Sequence, residues 1–324
     1  MAINVQQAKV IQQWPYDRPL LHGRCDPSGR FCFVSAEDRA VLRWDLTSGE
    51  KVPLRAHDSW VFAIDFTPDR AHLLTGGGDG QLIWWPLESD QPIRTVAAHQ
   101  GWIRAIAVHS DGTIATAGND RVVRLWAADS GELKAEYAGH EKHVYSLLWH
   151  PSGAELLSGD LGGKVHVWDV ASKQLRRTIE TAALHTYEPG QQVDFGGVRT
   201  MAWSLDGTQL LAGGLHKASN PLGAVHEPLV LRIQYADGAL LKSHVANGIT
   251  GGIAVRVVSL SDGTVLGVSG GSSGGWLLFW NADADATFHQ FQLPNLVRDA
   301  DLHPDGQRLL TTHSDNHLRM TSLG

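Results

Sequence analysis

The sequence predicts an all-β protein assembled from seven repeats of about 41 residues. Tryptophans recur at Trp44, Trp85, Trp126 and Trp168, at spacings of 41, 41 and 42 residues. Turn signals keep the same beat: DPSG at 26, TPDR at 67, HSDG at 109, HPSG at 150, SLDG at 204, LSDG at 260 and HPDG at 303. Between them lie short runs rich in Val, Ile, Leu and aromatics, bounded by Gly, Asp, Ser and Pro, which is the composition of strands and turns.

The stretch from His99 to Trp126 shows the unit most clearly: WIRAIAV, the turn HSDG, TIATA, the turn GND and VVRLW. A sheet of four such strands cannot bury both faces alone, so the units must stack on one another. His99, Thr116, Asp120 and Trp126 repeat the spacing of His57, Thr75, Asp79 and Trp85.

The frame S/T-x-x-x-D-x5-W, the pair Gly139-His140 and the endings Trp44-Asp45 and Trp168-Asp169 resemble the WD40 repeat family over nearly the whole chain. The resemblance implies a seven-bladed β-propeller, each blade a four-stranded sheet with strand a innermost at a central channel. Blades are expected over residues 15–56, 57–98, 99–139, 140–180, 181–244, 245–292, and 293–324 completed by 5–14. The last repeat supplies only three strands, whereas Ala8 to Trp14 precedes the first repeat without a partner. That opening run should complete the last blade and remove the exposed sheet edges. The residues beyond seven average repeats concentrate near 181–197, between strand d and the next strand a, and near 214–228, between strands b and c; both loops emerge on the top rim.

In the family, the His, Ser/Thr, Asp and Trp form a buried relay. The chemistry fits, because Trp only donates, Asp only accepts, and the His and hydroxyl pass hydrogen bonds between them. Blades two (His57, Thr75, Asp79, Trp85) and three (His99, Thr116, Asp120, Trp126) carry the full set. Blade four has His140, Ser158 and Trp168 with Gly162 at the Asp position; blade one has Ser35, Asp38 and Trp44 without a His. Blade seven keeps Thr311 and Asp315 with Thr321 in place of Trp, blade six keeps Trp280, and blade five lacks the set. Repetition in separate blades marks a scaffold rather than a hydrolase triad. No phosphate loop or metal-protease motif is present, so neither catalysis nor a cofactor nor a metal is expected. His185, His216 and His226, with Glu188 and Glu227, fall in the insertions at spacings unlike a zinc signature. SGGSSGG at 269–275 reads as a flexible b–c loop.

Composition narrows the partner. A net charge of −7 argues against general nucleic-acid binding. Only Cys25 and Cys32 are present, too few for a disulfide framework. Neither a signal peptide nor an apolar run of membrane-spanning length is found, so a cytoplasmic, monomeric propeller able to join a complex is expected.

In WD40 proteins the positions flanking the buried first-strand residue sit at the top mouth of the channel. Aligned on Leu20, Val61, Ile103, Val144, Val198, Val255 and Val297, those positions hold Trp60, Phe62, Trp102, Arg104, His143, Tyr145, Arg199, Arg256 and Arg298, with little from blade one. Either neighbours such as Asp194 and Asp299 pair with the arginines, or the recess accepts an acidic or phosphorylated segment, flanked by aromatic anchors. The expected function is a non-catalytic scaffold binding a peptide or protein at this mouth. An enzyme or small-ligand binder using the blade-five insertions, and a structural subunit of a larger assembly, are the alternatives.

Overall fold

A computed structural model describes residues 3–220 and 225–324. Seven four-stranded antiparallel sheets follow one another, each ordered a-b-c-d. Strand a runs over Leu20–Cys25, Val61–Phe66, Ile103–Val108, Val144–Trp149, Thr200–Trp203, Gly252–Ser259 and Val297–Leu302 in blades one to seven. Each strand a packs against the next, and the seventh returns to the first, so the seven inner strands close a ring.

The hydrophobic core is divided among seven seams, one between each pair of neighbouring blades. Both faces of a blade must therefore be apolar, and strand c of blade two shows how. In Gln81–Pro86 the adjacent Trp84 and Trp85 point to opposite faces. Trp85 enters the seam with blade one beside Phe33 and Val41; Trp84 enters the seam with blade three beside Ile103 and Ile114.

Blade seven is completed by Lys9–Pro15, which pairs antiparallel with His317–Ser322 from Lys9↔Ser322 to Pro15↔His317. Val5–Gln7 forms a 3-10 turn, and the completing strand begins at Lys9, one residue after the expected Ala8. Trp14 is buried in the seam between blades seven and one, 6.4 Å from Trp44, and Val5 reaches the seam between six and seven.

The relay geometry corrects the reading of blades four and one. In blade two Trp85 Nε1–H donates to Thr75 Oγ1 (2.9 Å), Thr75 lies 2.8 Å from His57 Nε2, and His57 Nδ1 lies 3.0 Å from Asp79 Oδ2. Blade three repeats this through His99, Thr116, Asp120 and Trp126, with Arg124 added on Asp120 at 2.7 Å. Blade four is complete as well: Trp168 donates to Ser158 (2.7 Å), Ser158 meets His140 (2.6 Å), and His140 meets Asp160 (2.8 Å). Asp160 pairs with Val144 just as Gly77 pairs with Val61. A Cβ on Gly77 would stand 2.5 Å from both Asp79 Oδ1 and His57 Nδ1, so the two positions address one space. Blade four fills it from the Gly77 position and leaves glycine at 162.

In blade one, Val34 rather than Ser35 lies at the hydroxyl position, because Trp44 pairs with Cys32 as Trp85 pairs with Leu73. Trp44 Nε1 accordingly has no acceptor among the described residues. Ser35 instead donates to the Val61 carbonyl (2.9 Å), and Tyr16, four residues before Leu20 as His57 is before Val61, donates its hydroxyl to Asp38 (2.9 Å). In blade seven His313 supplies the imidazole from its own strand, 2.8 Å from Thr311.

Both insertions are ordered hairpins where described. His185–Glu188 pairs with Val193–Gly196, and strands b and c of blade five extend together over Gln209–Asn220 and Val225–Gln234. Residues 221–224, within the second insertion, lie outside the described residues. The Gly/Ser run is not a loose loop: Gly270 pairs with Gly275 and Gly271 with Gly274 in a continued b–c ladder.

Candidate binding face at the channel mouth

In blades two, three, four and seven strand a carries a bulge just after its buried first residue, between Val61/Ala63, Ile103/Ala105, Val144/Ser146 and Val297/Asp299. The bulge residue escapes the ladder and is re-aimed towards the rim. Phe62, Arg104, Tyr145 and Arg298 are these residues, and Arg199 takes the corresponding place in blade five, where Thr200 pairs with Gly213. Arg256 does not. In blade six the bulge lies between Ala254 and Arg256, so Val255 is the mouth residue and Arg256 sits one step deeper, opposite Val268. The expected alignment on Val255 is out by one residue.

Across blades two to five the mouth is a continuous cation–aromatic surface. Phe62 and Trp102 stack at 4.7 Å and 15°, with Trp60 edge-on to Phe62 at 6.4 Å. The Arg104 guanidinium lies 4.3 Å from Trp102, 4.9 Å from Phe62 and 5.0 Å from Tyr145, and Arg199 covers Tyr145 at 3.9 Å. Trp60 and Trp102 remain 40% and 37% exposed, high for the largest apolar side chains. His143 lies beside them; burial and then Arg104 hold its imidazole below the ordinary histidine range, so it is neutral at pH 7.

The arginines divide into two groups. Arg256 Nη2–H donates to Asp299 Oδ1 (2.9 Å), and Arg24 Nη1–H donates to the other oxygen (2.7 Å). Burial would raise the Asp299 pKa, but Arg24 and Arg256 hold the carboxyl well below the usual carboxylate range. Arg298 reaches Ser314 (2.9 Å) and, more loosely, Glu37 (3.4 Å). Arg104 and Arg199 meet no carboxylate among the described residues: their Nε–H groups donate to Asn119 Oδ1 (3.0 Å) and the Gly196 carbonyl (2.7 Å). Burial lowers both guanidinium pKa values. Asp194 serves Lys142 (2.6 Å) and His185 (2.9 Å), not the arginines.

Alignment missed Arg24, His22 and Glu37 because blade one offers only Pro19 and Leu21 at the flanking positions. Yet Glu37 accepts the Trp60 indole N–H on its carbonyl (2.8 Å), and His22 Nδ1 stands 3.3 Å from Asp299. A recess of about 250 Å³ opens between these groups, lined by Phe62, Arg104, Tyr145, Arg199, Arg298 and Asp299 among others.

Below it, burial pushes the Asp65 carboxyl up to about 6, although it accepts N–H bonds from Phe66 (2.8 Å) and Val108 (2.9 Å). A carboxyl raised on folding favours the native state below its unfolded pKa, near 3.9, and that contribution is lost as pH rises through about 6. The melting-temperature difference between wild type and Asp65→Asn should therefore shift against wild type between pH 4 and 6. A difference independent of pH would contradict this assignment.

In the blade-four relay His140, Ser158 and Asp160 are all buried. Among the described residues no three His, Cys, Asp or Glu side chains converge as metal ligands would. His185 is engaged with Asp194, and Lys217 and His216 lie 2.9 and 3.4 Å from Glu227. No helix is long and apolar enough to cross a membrane among the described residues.

The family model described as WD domain, G-beta repeat (WD40) matches residues 50–86, 90–127 and 131–169. These segments end on the tryptophan-bearing strands of blades two, three and four, whose relays are complete. The chain is similar to the Target of rapamycin complex subunit wat1 of Schizosaccharomyces pombe, 30% identical over 182 residues, 55% of this chain and 54% of that protein. It is similar to Cell division cycle 20.1, cofactor of APC complex, of Arabidopsis thaliana, 28% identical over 184 residues, 55% of this chain and 39% of that one. A p21-activated protein kinase-interacting protein 1-like of Danio rerio is 26% identical over 154 residues, 47% of this chain and 41% of that protein. The chain thus spans about half or less of the length of these relatives.

Proposed function

Because the chain is a WD40-repeat protein, a seven-bladed β-propeller, we propose that it is a non-catalytic interaction scaffold taking an acidic peptide or protein segment at the top channel mouth. The observation that carries this reading is the exposed Trp60–Phe62–Trp102 wall set against Arg104 and Arg199, two guanidiniums without carboxylate partners among the described residues. Apolar anchors beside charge-assisted donors are the composition of interface hot spots. The three relatives named above are called a complex subunit, a complex cofactor and a kinase-interacting protein, which supports the general role. We place the protein in the cytoplasm, as a monomer that joins a complex.

The test is affinity capture from the source cell with the full chain and with a Trp60→Ala/Trp102→Ala variant of unchanged melting temperature. A specific partner held by wild type and lost by the variant is the expected result. Equal recovery on both would remove the mouth as the binding face.

A further inference from the structure

Resting on the reading of the mouth as a binding face, the geometry points to a narrower property: Arg104 and Arg199 together form a site for a tetrahedral oxyanion of the phosphate class. Both side chains line the recess and the channel space beneath it. Each has its Nε–H spent on a neutral acceptor and its flat face laid on Tyr145, at 5.0 and 3.9 Å from the ring centroid. Their centres are therefore within about 9 Å of each other, a span one anion can bridge by accepting from both forks. The stacking and the Nε–H bonds fix the guanidinium planes before any ligand arrives, so little rotamer freedom is left to lose on binding.

The terminal nitrogens of both residues meet no carboxylate among the described residues, and the neutral Tyr145 side chain is the one further hydrogen-bond partner of Arg199 there. Asp299, the carboxylate lining the same space, has one oxygen on Arg24 and the other on Arg256. Asp65 and Asp301 lie further down strand a and accept backbone N–H groups from Val108 and Cys25. Two half-buried cations facing one cavity repel each other and are costly to desolvate unpaired. A carboxylate offers two oxygens and matches one fork; a phosphate-class dianion has enough oxygens and charge for two. That difference selects the dianion.

The group can arrive free or carried on a partner's side chain, and the two sources share this chemistry. Calorimetric titration of the full chain with inorganic phosphate at constant ionic strength, followed by thermal melting, should show saturable binding and a matching rise in Tm over chloride. Arg104→Gln and Arg199→Gln should each weaken binding at least about tenfold, and Arg199→Lys, which keeps the charge but not the fork, should weaken it too. Arg30→Gln, which removes a surface pair with Asp45 away from the mouth, serves as the control. Phosphate acting no better than chloride, or binding the Arg104→Gln/Arg199→Gln double variant as it binds wild type, would overturn the proposal. Titration with O-phosphoserine and with a phosphoserine peptide separates the sources: a stepwise gain in affinity means the group comes on a chain, and equal affinity means a free anion. Phosphate binding without partner capture sustains this site while removing the scaffold reading; capture without phosphate binding does the reverse.

Discussion

A chain lacking residues 1–15 is expected to melt roughly 10 °C or more below the full protein and to aggregate as it does so. The deletion removes strand d of blade seven, and with it Trp14 from the seam between blades seven and one. Loss of one buried Trp costs about 3–5 kcal/mol, a large share of the 5–15 kcal/mol that holds a typical domain together. Val5 leaves a second seam at the same time, and His317–Ser322 becomes a bare edge ready to pair with another chain. In an open array of repeats a lost terminal strand would fray one unit. Here blade seven also packs on blade one, so the same loss opens the ring. Ile11→Ala, at an exposed site on the same strand, is the matched substitution and should leave the melting temperature within a few degrees. A truncated chain that melts with the full one would refute the clasp.

The count of blades was legible because it rests on features that repeat: turn tetrapeptides, and tryptophans that must each fill a seam. What reading along the chain could not resolve were departures that keep the space but change the backbone position supplying it. Asp160 and Asp79 put a carboxylate in one place from sites two residues apart, so a fixed-spacing frame sees Gly162 and concludes that the acid is missing. Ser35 illustrates the converse, a hydroxyl close to the expected spacing whose strand register sends it to the Val61 carbonyl instead. Bulges are the common cause at the mouth. Each inserts one residue into strand a, and a one-residue slip exchanges rim for channel. Blade six has its bulge one place earlier than the Val-based alignment assumes, and Arg256 moves inward with it.

That slip has a measurable cost. Replacing Arg256 by Ala should destabilise the protein by about 3 kcal/mol, because it strips one partner from a buried carboxylate. Asp299 is 4% exposed at its side chain, and Arg24 continues to hold its other oxygen, which keeps the loss at the lower end of the range for broken buried pairs. The Ala300 carbonyl also loses its Arg256 Nε–H donor at 2.8 Å, so the seam between blades six and seven loosens further. Arg104→Ala is expected to behave differently. It forfeits stacking on three rings, but it strands no carboxylate and relieves the repulsion from Arg199, for a net change of about 1 kcal/mol or less. Partner capture should fail for Arg104→Ala, which loses a contact, whereas Arg256→Ala should lose stability while enough protein stays folded to keep the binding face. Denaturant melts of the two separate the cases before any binding is measured. Equal stability would mean that Arg256 stands at the rim after all, since only a buried pair makes its removal costly.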